Sequence, residues 1–331
     1  MPVAPAFWTR DGVLPRILSP LSAIVAAVTA RRVSRGGWRA PLPVICCGNV
    51  TVGGAGKTTV AIDLATRLVA RGVPVHILLR GYGGSSRGPR LVMPDDPANL
   101  VGDESLLLAR VAPTWIGADR AASARLAVAA GAQVLLMDDG LQSPGLVKDL
   151  SILVIDGESG FGNGRVLPAG PLREPVAAGA ARCQVAVLIG DDVSGAVAQL
   201  PPDYPVLRAR LVQDATIDAL KGQRVLAIAG IARPAKFFDP LARAGVLVLE
   251  TRAFPDHHAF TRAELKAVLD RGAETGAVVV TTPKDAVRLP ADLRARLTVV
   301  GVRLDWDDAA GIEALLAGLV GLGAHGAAPR A

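Results

Sequence analysis

The sequence predicts an α/β fold in which a mostly parallel, doubly wound sheet carries helices on both faces, with a second, smaller α/β domain after it. Short apolar runs alternate with helical patterns along the chain, which is typical of parallel sheets. A glycine-rich turn follows the first such run and precedes a helix, and two later runs end in aspartate. Ligands bind beyond the carboxyl ends of strands in sheets of this kind, so we expect the functional residues at those ends.

Composition excludes several classes of protein. The chain has 331 residues, of which 50% are hydrophobic and 20% charged, so it is neither disordered nor fibrous. Its three cysteines, Cys46, Cys47 and Cys183, form no C-x-x-C pair, and its histidines have no HExxH spacing. These spacings argue against a disulfide framework or a zinc site and favour a protein with reduced thiols in the cytosol.

The positive charge is concentrated at the N-terminus. The net charge is +6, and residues 1–40 contain six arginines against Asp11 alone. Aromatic residues make up only 4% of the chain, so there is no stacking platform for nucleic acid. We therefore expect no nucleic-acid partner, and no obligate protein partner is evident.

The basic arm contains an amphipathic helix pattern. Apolar residues recur at helical spacing within the uncharged stretch 17–30, and Ser19-Pro20 is typical of a helix start. Fourteen residues are too short to span a bilayer, but they could lie in its interface while the flanking Arg16 and Arg31 contact lipid phosphates. The alternative is a helix docked on the protein's own core, and amphipathicity does not choose between the two.

The elements that follow suggest two domains. Apolar runs predict strands at 43–50, 73–79, 134–137 and 152–155, and a helix before Gly72. The pattern loosens over 190–223, where prolines and paired aspartates accumulate, and three more strands follow. The predicted organisation is an N-terminal arm (1–40), a first domain (41–200), a linker (201–223), a smaller α/β domain (224–318) and a Gly/Ala-rich tail (319–331).

The strongest motif is G-G-A-G-K-T, which lies within Gly48–Thr59 directly between a strand and a helix. Its glycines allow backbone N–H groups to turn toward phosphate oxygens, and the helix N-terminus adds partial positive charge. Lys57 can bridge the β- and γ-phosphates of a nucleotide, and the Thr58 hydroxyl can bind Mg²⁺. The motif therefore predicts a fold of the P-loop NTPase type, although Thr51 stands where the strict pattern has glycine.

A phosphate loop needs a carboxylate on the metal side. Asp138 and Asp139 follow one apolar run, and Asp156 ends another, so either run can supply it. We favour the paired aspartates, because one could hold the Mg²⁺ shell while the other orients it. The alternative is a simple turn, since D-D-G also begins a loop.

Other motifs are ambiguous when taken alone. Arg80 begins a glycine-rich segment at a strand end and could meet a substrate phosphate. Asp103 either caps the helix that follows it or acts as a general base. Segment 160–174 is rich in glycine and proline, and a loop of that length is often a substrate lid. Phe254–His258 carries two histidines that could simply be exposed in a turn.

Taken together, these residues resemble the tetraacyldisaccharide 4′-kinase (lipid A 4′-kinase) family. The resemblance covers about residues 40–290. The motifs occur in the family's order: V-G-G-x-G-K-T, R-G-Y-G-G, V-G-D-E, D-D-G-L-Q, G-F-G-N-G…L-P-A-G-P-L-R-E, A-G-I-A-x-P and F-x-D-H-H…T-x-K-D-A-V.

The resemblance implies a kinase that acts on the cytoplasmic face of the bacterial inner membrane as a peripheral protein. It would transfer the γ-phosphate of ATP, with Mg²⁺, to the 4′-hydroxyl of a lipid disaccharide 1-phosphate at an anionic membrane surface. Asp103 and His257 would pair as the base system, Lys57 and Asp139 would assist catalysis, and Asp256 and Glu174 are weaker candidates. The implied metal ligands are Thr58, Asp138 and Asp139, and the implied ATP-binding residues are Thr51, Val52, Gly53, Gly54, Ala55, Gly56, Lys57 and Thr58.

Two other functions remain open from the residues. The first is a P-loop nucleotide switch that is recruited to membranes. The second is a P-loop kinase or ligase of a small metabolite, with the N-terminal arm docked internally.

Overall fold

Within residues 5–325, which the computed structural model describes with side chains through residue 319, two sheets organise the chain. The larger has nine strands and the smaller has four. The strands are β1 Val44–Gly48, β2 Val75–Leu79, β3 Arg90–Leu91, β4 Thr114–Ile116, β5 Val134–Asp138, β6 Leu150–Asp156, β7 Val185–Ile189, β8 Val206–Gln213, β9 Arg224–Ala229, β10 Leu247–Ala253, β11 Val278–Thr281, β12 Thr298–Val299 and β13 Val302–Trp306. The helices are α1 Val13–Val33, α2 Lys57–Ala70, α3 Ala98–Val101, α4 Asp103–Ala109, α5 Arg120–Ala129, α6 Val176–Ala180, α7 Ala235–Arg243, α8 Arg262–Thr275, α9 Pro283–Ala286, α10 Ala291–Arg294 and α11 Ala309–His325.

The larger sheet has the strand order β13-β8-β7-β6-β1-β5-β2-β4-β3, and only β3 and β13 run antiparallel to their neighbours. Strand β1 lies between β5 and β6 and is buried along its whole length. Its sequence is apolar throughout because helices cover both faces of a parallel sheet of this kind. The predicted α/β class, with a mostly parallel sheet, is confirmed.

Helix α2 explains how the phosphate motif is fixed to the core. It begins at Lys57, directly after Gly56, and a stripe of its side chains is buried against the sheet. The stripe comprises Val60, Ala61, Leu64, Ala65 and Leu68. The spacing of these residues anchors the helix, so its first turn is held at the carboxyl end of β1.

The smaller sheet has the order β10-β9-β11-β12 with all strands parallel. It packs through two apolar clusters, one against α7 and one against α8. Helix α8 begins with a capping box in which the Thr261 hydroxyl accepts from the Glu264 amide and the Glu264 carboxylate accepts in return. The three strands predicted beyond residue 223 correspond to β9, β10 and β11.

The structure differs from the prediction in the segment 201–223, which was expected to be a linker. Residues 206–213 form β8, which pairs with β7 in the larger sheet, and β13 pairs with β8 rather than joining the smaller sheet. Trp306 at the end of β13 donates from Nε1 to Asp63 Oδ2 of α2 at 3.1 Å. The prediction missed β8 because only one of its eight residues is buried and two arginines interrupt it, so no apolar run marks it.

Helix α1 also differs from its prediction. It begins at Val13 and encloses Pro20, which was expected at the first helical position. With 21 residues it is longer than the uncharged stretch, because Arg16 and the Arg31-Arg32 pair are part of it. Proline removes one backbone bond from the helix at an exposed position, and the helix continues past it.

Candidate active site

The phosphate loop connects β1 to α2. Gly53 and Gly56 have φ angles of 105° and 86°, in the left-handed region that favours glycine. Lys57 is nearly buried, and its Nζ lies 3.5 Å from the Gly53 carbonyl oxygen and 3.6 Å from Asp139 Oδ1. The ammonium group therefore lies over the loop and faces the carboxyl end of β5.

Segment 160–174 supports the loop from one side. The Val52 amide donates to the Pro171 carbonyl at 2.8 Å, the Arg173 amide donates to the Val50 carbonyl at 2.6 Å, and Thr51 forms a bridge with Leu172. Phe161, Ala169 and Leu172 are fully buried. The expectation of a lid is wrong here, because a segment packed into the core and bonded to the loop on both sides is a support.

Asp138 ends β5 and faces the first turn of α2. The Thr58 hydroxyl donates to its Oδ2 at 2.9 Å. Its Oδ1 is buried and has no hydrogen-bond partner within the part of the chain that the structure describes. Burial, together with the nearby charge of Glu104, raises the pKa of Asp138 to about 7.

The Thr58 hydroxyl and the Asp138 carboxylate are suitable ligands for a magnesium ion. A hydroxyl oxygen and a carboxylate oxygen are ligands that Mg²⁺ takes beside the oxygens of a nucleotide. A buried carboxylate oxygen without a donor is costly unless something binds it. Among residues 5–319 no group of three or more acidic, histidine or cysteine side chains could form a metal cage, so water and phosphate oxygens would complete the shell.

Asp139 has a different environment from its neighbour. It adopts φ 54°, accepts a hydrogen bond from Arg173 Nη1 at 2.8 Å and faces Lys57. Burial raises the pKa of Asp139, but the charges of Lys57 and Arg173 outweigh it and the pKa is lowered overall. Two adjacent aspartates with opposite shifts can serve different chemical roles.

The other acidic candidates lie apart from Thr58. Asp156, at the end of β6, forms ion pairs with Arg233 and, at 3.4 Å, with Lys236 of the smaller unit. Buried Glu174 accepts from Gln142 Nε2 at 2.8 Å and from Arg182 at 2.7 Å. The structure therefore brings Asp138, and not Asp156, to the threonine of the phosphate loop.

Asp103 and His257 meet across the two units. Asp103 is the first residue of α4, follows Gly102 with φ 86°, and is almost fully buried. Its Oδ2 lies 2.9 Å from His257 Nδ1, and its Oδ1 accepts from the Glu104 amide at 3.2 Å. His257 follows β10 in a turn and has φ 60°.

The surroundings fix the hydrogen-bonding pattern of this pair. Lys284 Nζ lies 3.3 Å from His257 Nε2, so Nε2 accepts and Nδ1 donates to Asp103. Asp256 is 3.3 Å from the same ammonium group. Burial raises the pKa of Asp103, but the hydrogen bond from His257 and the charges of Lys284 and Arg288 lower it overall, so the carboxylate is ionised at neutral pH.

Sequence reasoning assigned no role to three residues that touch these groups. Arg173 holds Asp139, Lys284 holds His257, and Arg288 lies 4.0 Å from Asp103. Arg173 lies in the L-P-A-G-P-L-R-E motif and Lys284 in T-x-K-D-A-V, and Arg288 directly follows the latter. Those motifs marked the segments, but no local spacing indicated which distant side chain each would contact.

Comparison with known proteins identifies the family. The family model described as tetraacyldisaccharide-1-P 4′-kinase matches residues 14–320. The chain belongs to this family. It is 58% identical to the tetraacyldisaccharide 4′-kinase of Gluconacetobacter diazotrophicus over 95% of this chain and 97% of the relative. The corresponding figures for that of Rhodospirillum centenum are 52%, 98% and 99%.

A solved structure shares the fold. The "apo" form of LpxK from Aquifex aeolicus in complex with ATP aligns with a TM-score of 0.74 and 26% identity, covering 93% of this chain and all of that one. The family and the fold together confirm the prediction of a P-loop kinase with an alcohol group as acceptor. The catalytic and binding roles of individual residues stay predictions.

Proposed function

We propose that this protein transfers the γ-phosphate of ATP to the 4′-hydroxyl of a tetraacylated glucosamine disaccharide 1-phosphate, which gives lipid IVA. The observation that carries the residue assignment is the meeting of Asp103 and His257 beside the phosphate loop. Glu104, next to Asp103, is close enough to Asp138 for its charge to raise that carboxyl's pKa. A hydroxyl group held at Asp103 would thus lie on the side of the site where phosphate is bound.

The loop Thr51–Thr58 holds the ATP phosphates in this proposal. Its backbone amides and the N-terminus of α2 bind phosphate oxygens, and Lys57 turns from the Gly53 carbonyl toward the β- and γ-phosphates. Asp139, held by Arg173, keeps the ammonium group over the loop before ATP binds. A bound Mg²⁺ offsets phosphate charge, and Thr58 and Asp138 are the residues that would hold it.

Asp103 takes the proton of the 4′-hydroxyl as the oxygen attacks the γ-phosphorus and ADP leaves. His257 orients that carboxylate through the bond at Nδ1, while Lys284 fixes the ring from Nε2. A positioned general base contributes about 10²- to 10⁴-fold to a rate. Because the pair joins two units of the chain, it also closes one side of the site to water, which competes with the sugar hydroxyl.

Transfer to the lipid is the decisive experiment. Incubation with γ-labelled ATP and the disaccharide 1-phosphate should label the 4′-oxygen, and the Lys57→Ala variant should label it at least about 100-fold more slowly. ATP hydrolysis without labelled lipid would favour the nucleotide-switch alternative. Labelling of small soluble alcohols in preference to the lipid would favour the small-metabolite alternative.

We further propose peripheral attachment of the protein to the anionic cytoplasmic face of the inner membrane through α1. Among the described residues, α1 is the one helix long and apolar enough to cross a membrane, a property that core helices and signal sequences share. Only 17% of the apolar 18-residue stretch of this helix is buried, and Ile17 and Ile24 are 67% and 60% exposed. Ser22 bonds to the Val166 carbonyl at 2.7 Å, which favours a helix lying along the protein rather than leaving it.

Flotation with vesicles tests this attachment. The double variant Ile17→Glu/Ile24→Glu should bind anionic vesicles at least 10-fold more weakly, because each isoleucine buried in lipid contributes about 1.5–3 kcal/mol. Val193→Glu is the matched control, since Val193 is 78% exposed but lies far along the chain from α1. Equal binding by the double variant and the control would exclude α1 as the attachment site.

A further inference from the structure

Two buried charged residues of α9 and the turn after it lie behind the Asp103–His257 pair without contacting any proposed substrate group. Arg288 and Asp285 are 8% and 0% exposed in their side chains and form an ion pair. Arg288 also donates from Nη2 to the Gly230 carbonyl at 3.0 Å and from Nη1 to the His258 carbonyl at 3.3 Å. One guanidinium group thus binds the end of β9 and the turn that carries His257.

Asp285 completes the attachment from the other side. Both of its carboxylate oxygens lie 3.1 Å from the Gly230 amide, and the Thr282 hydroxyl donates to it at 2.6 Å. The Gly230 carbonyl in turn accepts from the His257 amide at 3.2 Å. A Cβ atom on Gly230 would lie only 3.0 Å from Asp285 Oδ1, so the fit there is tight. The left-handed backbone of His257 is therefore held by bonds that lead back to Asp285 and Arg288.

The same arginine faces the partner of the histidine. Arg288 Nε lies 4.0 Å from Asp103 Oδ2, the atom to which His257 Nδ1 donates. Lys284 is the other fixed cation that acts on this carboxylate, and Glu104 is its adjacent acid. A buried arginine with several acceptors in fixed directions is well suited to set such geometry, because its donors form a rigid fork.

We propose that Arg288, fixed by Asp285, is a positioning residue for phosphoryl transfer: it holds the His257 turn in register with Asp103 and supplies a positive charge beside that carboxylate. The proposal rests on the proposed function, since it takes Asp103 as the base. Arg288 does not touch the phosphate loop, so ATP binding is not part of its role.

Arg288→Met tests this role by removing the guanidinium group, whose central carbon lies 6.0 Å from the centroid of the Phe260 ring, while keeping an unbranched side chain. Turnover of the full chain is measured from pH 3 to 9 with ATP and the lipid disaccharide 1-phosphate, because the lowered pKa of Asp103 places its acid limb in the lower part of this range. We expect kcat to fall about 10- to 100-fold with the KM for ATP within about threefold. The acid limb of the pH profile of kcat should shift to higher pH by about one unit, because removing a cation near an aspartate raises the pKa of that aspartate.

Three further variants keep the result interpretable. Arg288→Lys retains the positive charge but not the forked guanidinium donors. The acid limb of its kcat profile should therefore stay in place, and kcat should fall less than in Arg288→Met. Asp285→Asn should behave like a weaker Arg288→Met, because the arginine loses its ion-pair partner. Arg262→Met removes an exposed ion pair to Asp292 of the same unit and should match the parent protein.

The outcomes separate positioning from folding. A folding defect scales the whole pH profile down without moving its limb, so an unmoved limb in Arg288→Met overturns the proposal whatever the loss. A kcat within twofold of the parent also overturns it. Asp103→Asn is measured alongside: if it retains full turnover, the base assignment itself is wrong, whereas an inactive Asp103→Asn beside a normal Arg288→Met removes this inference alone.

Discussion

Replacing Asp103 with asparagine tests the central assignment with almost no change in side-chain volume. The carboxylate receives the His257 Nδ1 hydrogen at 2.9 Å. If the amide nitrogen of asparagine lies there, two donors oppose each other. Turning the histidine to its other tautomer moves the conflict to Nε2, which faces the Lys284 ammonium group at 3.3 Å. The variant therefore removes the base and also disturbs the histidine that orients it.

The expected size of the effect follows from the chemistry. Loss of a positioned base costs about 10²- to 10⁴-fold in kcat, which is about 2.7–5.4 kcal/mol at 1.36 kcal/mol per tenfold. The KM for ATP should stay within about threefold, because no hydrogen bond or ion pair within residues 5–319 joins Asp103 to the loop Thr51–Thr58.

The assay is steady-state transfer of labelled phosphate to the lipid disaccharide 1-phosphate, together with ATP affinity by titration calorimetry. Asp292→Asn is the matched control, since Asp292 is more than half exposed in its side chain and lies in the same unit as His257. A kcat for Asp103→Asn within tenfold of the parent would refute the reasoning. A large loss of ATP affinity would refute it too, because Asp103 would then belong to the nucleotide site.

Three further results are expected. Lys57→Ala should weaken ATP binding and reduce kcat at least 100-fold, checked by calorimetry and phosphate transfer, since its ammonium group is the cation over the loop. Asp138→Asn should gain Tm relative to the parent as the pH rises from 5 to 8 without Mg²⁺ or nucleotide. A carboxyl whose pKa is raised to about 7 in the folded state stabilises the parent at low pH, and this contribution is lost as the pH rises toward 7. Ser22→Ala should leave the Ala169 amide without its acceptor at 3.2 Å, at a cost of about 1–3 kcal/mol, and hydrogen exchange of that amide should accelerate by about tenfold or more. Unchanged exchange would show that α1 does not depend on this bond.

The sequence predicts the parts of the fold that depend on patterns among neighbouring residues. The G-G-A-G-K-T motif lies between an apolar run and a helical stripe, so its place at a strand end follows from local pattern alone. Strand β8 shows the opposite case. It is recognised by its pairing with β7 and β13, and the β13 partner lies about ninety residues away, so its charged, half-exposed sequence resembles a loop.

The residues of the candidate site also divide into those that local sequence predicts and those that it does not. The chemistry of Thr58 and the Asp138–Asp139 pair could be expected because each side chain follows a predicted strand end. Asp103 and His257 are 154 positions apart, and their own neighbourhoods fit a helix cap and an exposed turn equally well. Only the resemblance to a family paired them. Nothing local indicated Arg288, whose role depends on acceptors supplied by separate turns.

Segment 160–174 connects the proposed membrane helix with the proposed chemistry. At one end the Pro168 carbonyl accepts from Trp8 Nε1 at 3.1 Å and Arg165 binds Asp11 at 2.8 Å. A few residues further on, the Pro171 carbonyl accepts from the Val52 amide of the phosphate loop. A sugar hydroxyl at a bilayer surface has limited reach, so the phosphate must be presented at a fixed height above that surface. A mobile lid would let this height vary. In the proposed arrangement, a segment that bonds to both the N-terminal arm and the phosphate loop keeps this height constant, and its buried side chains Phe161, Ala169 and Leu172 fix it to the core.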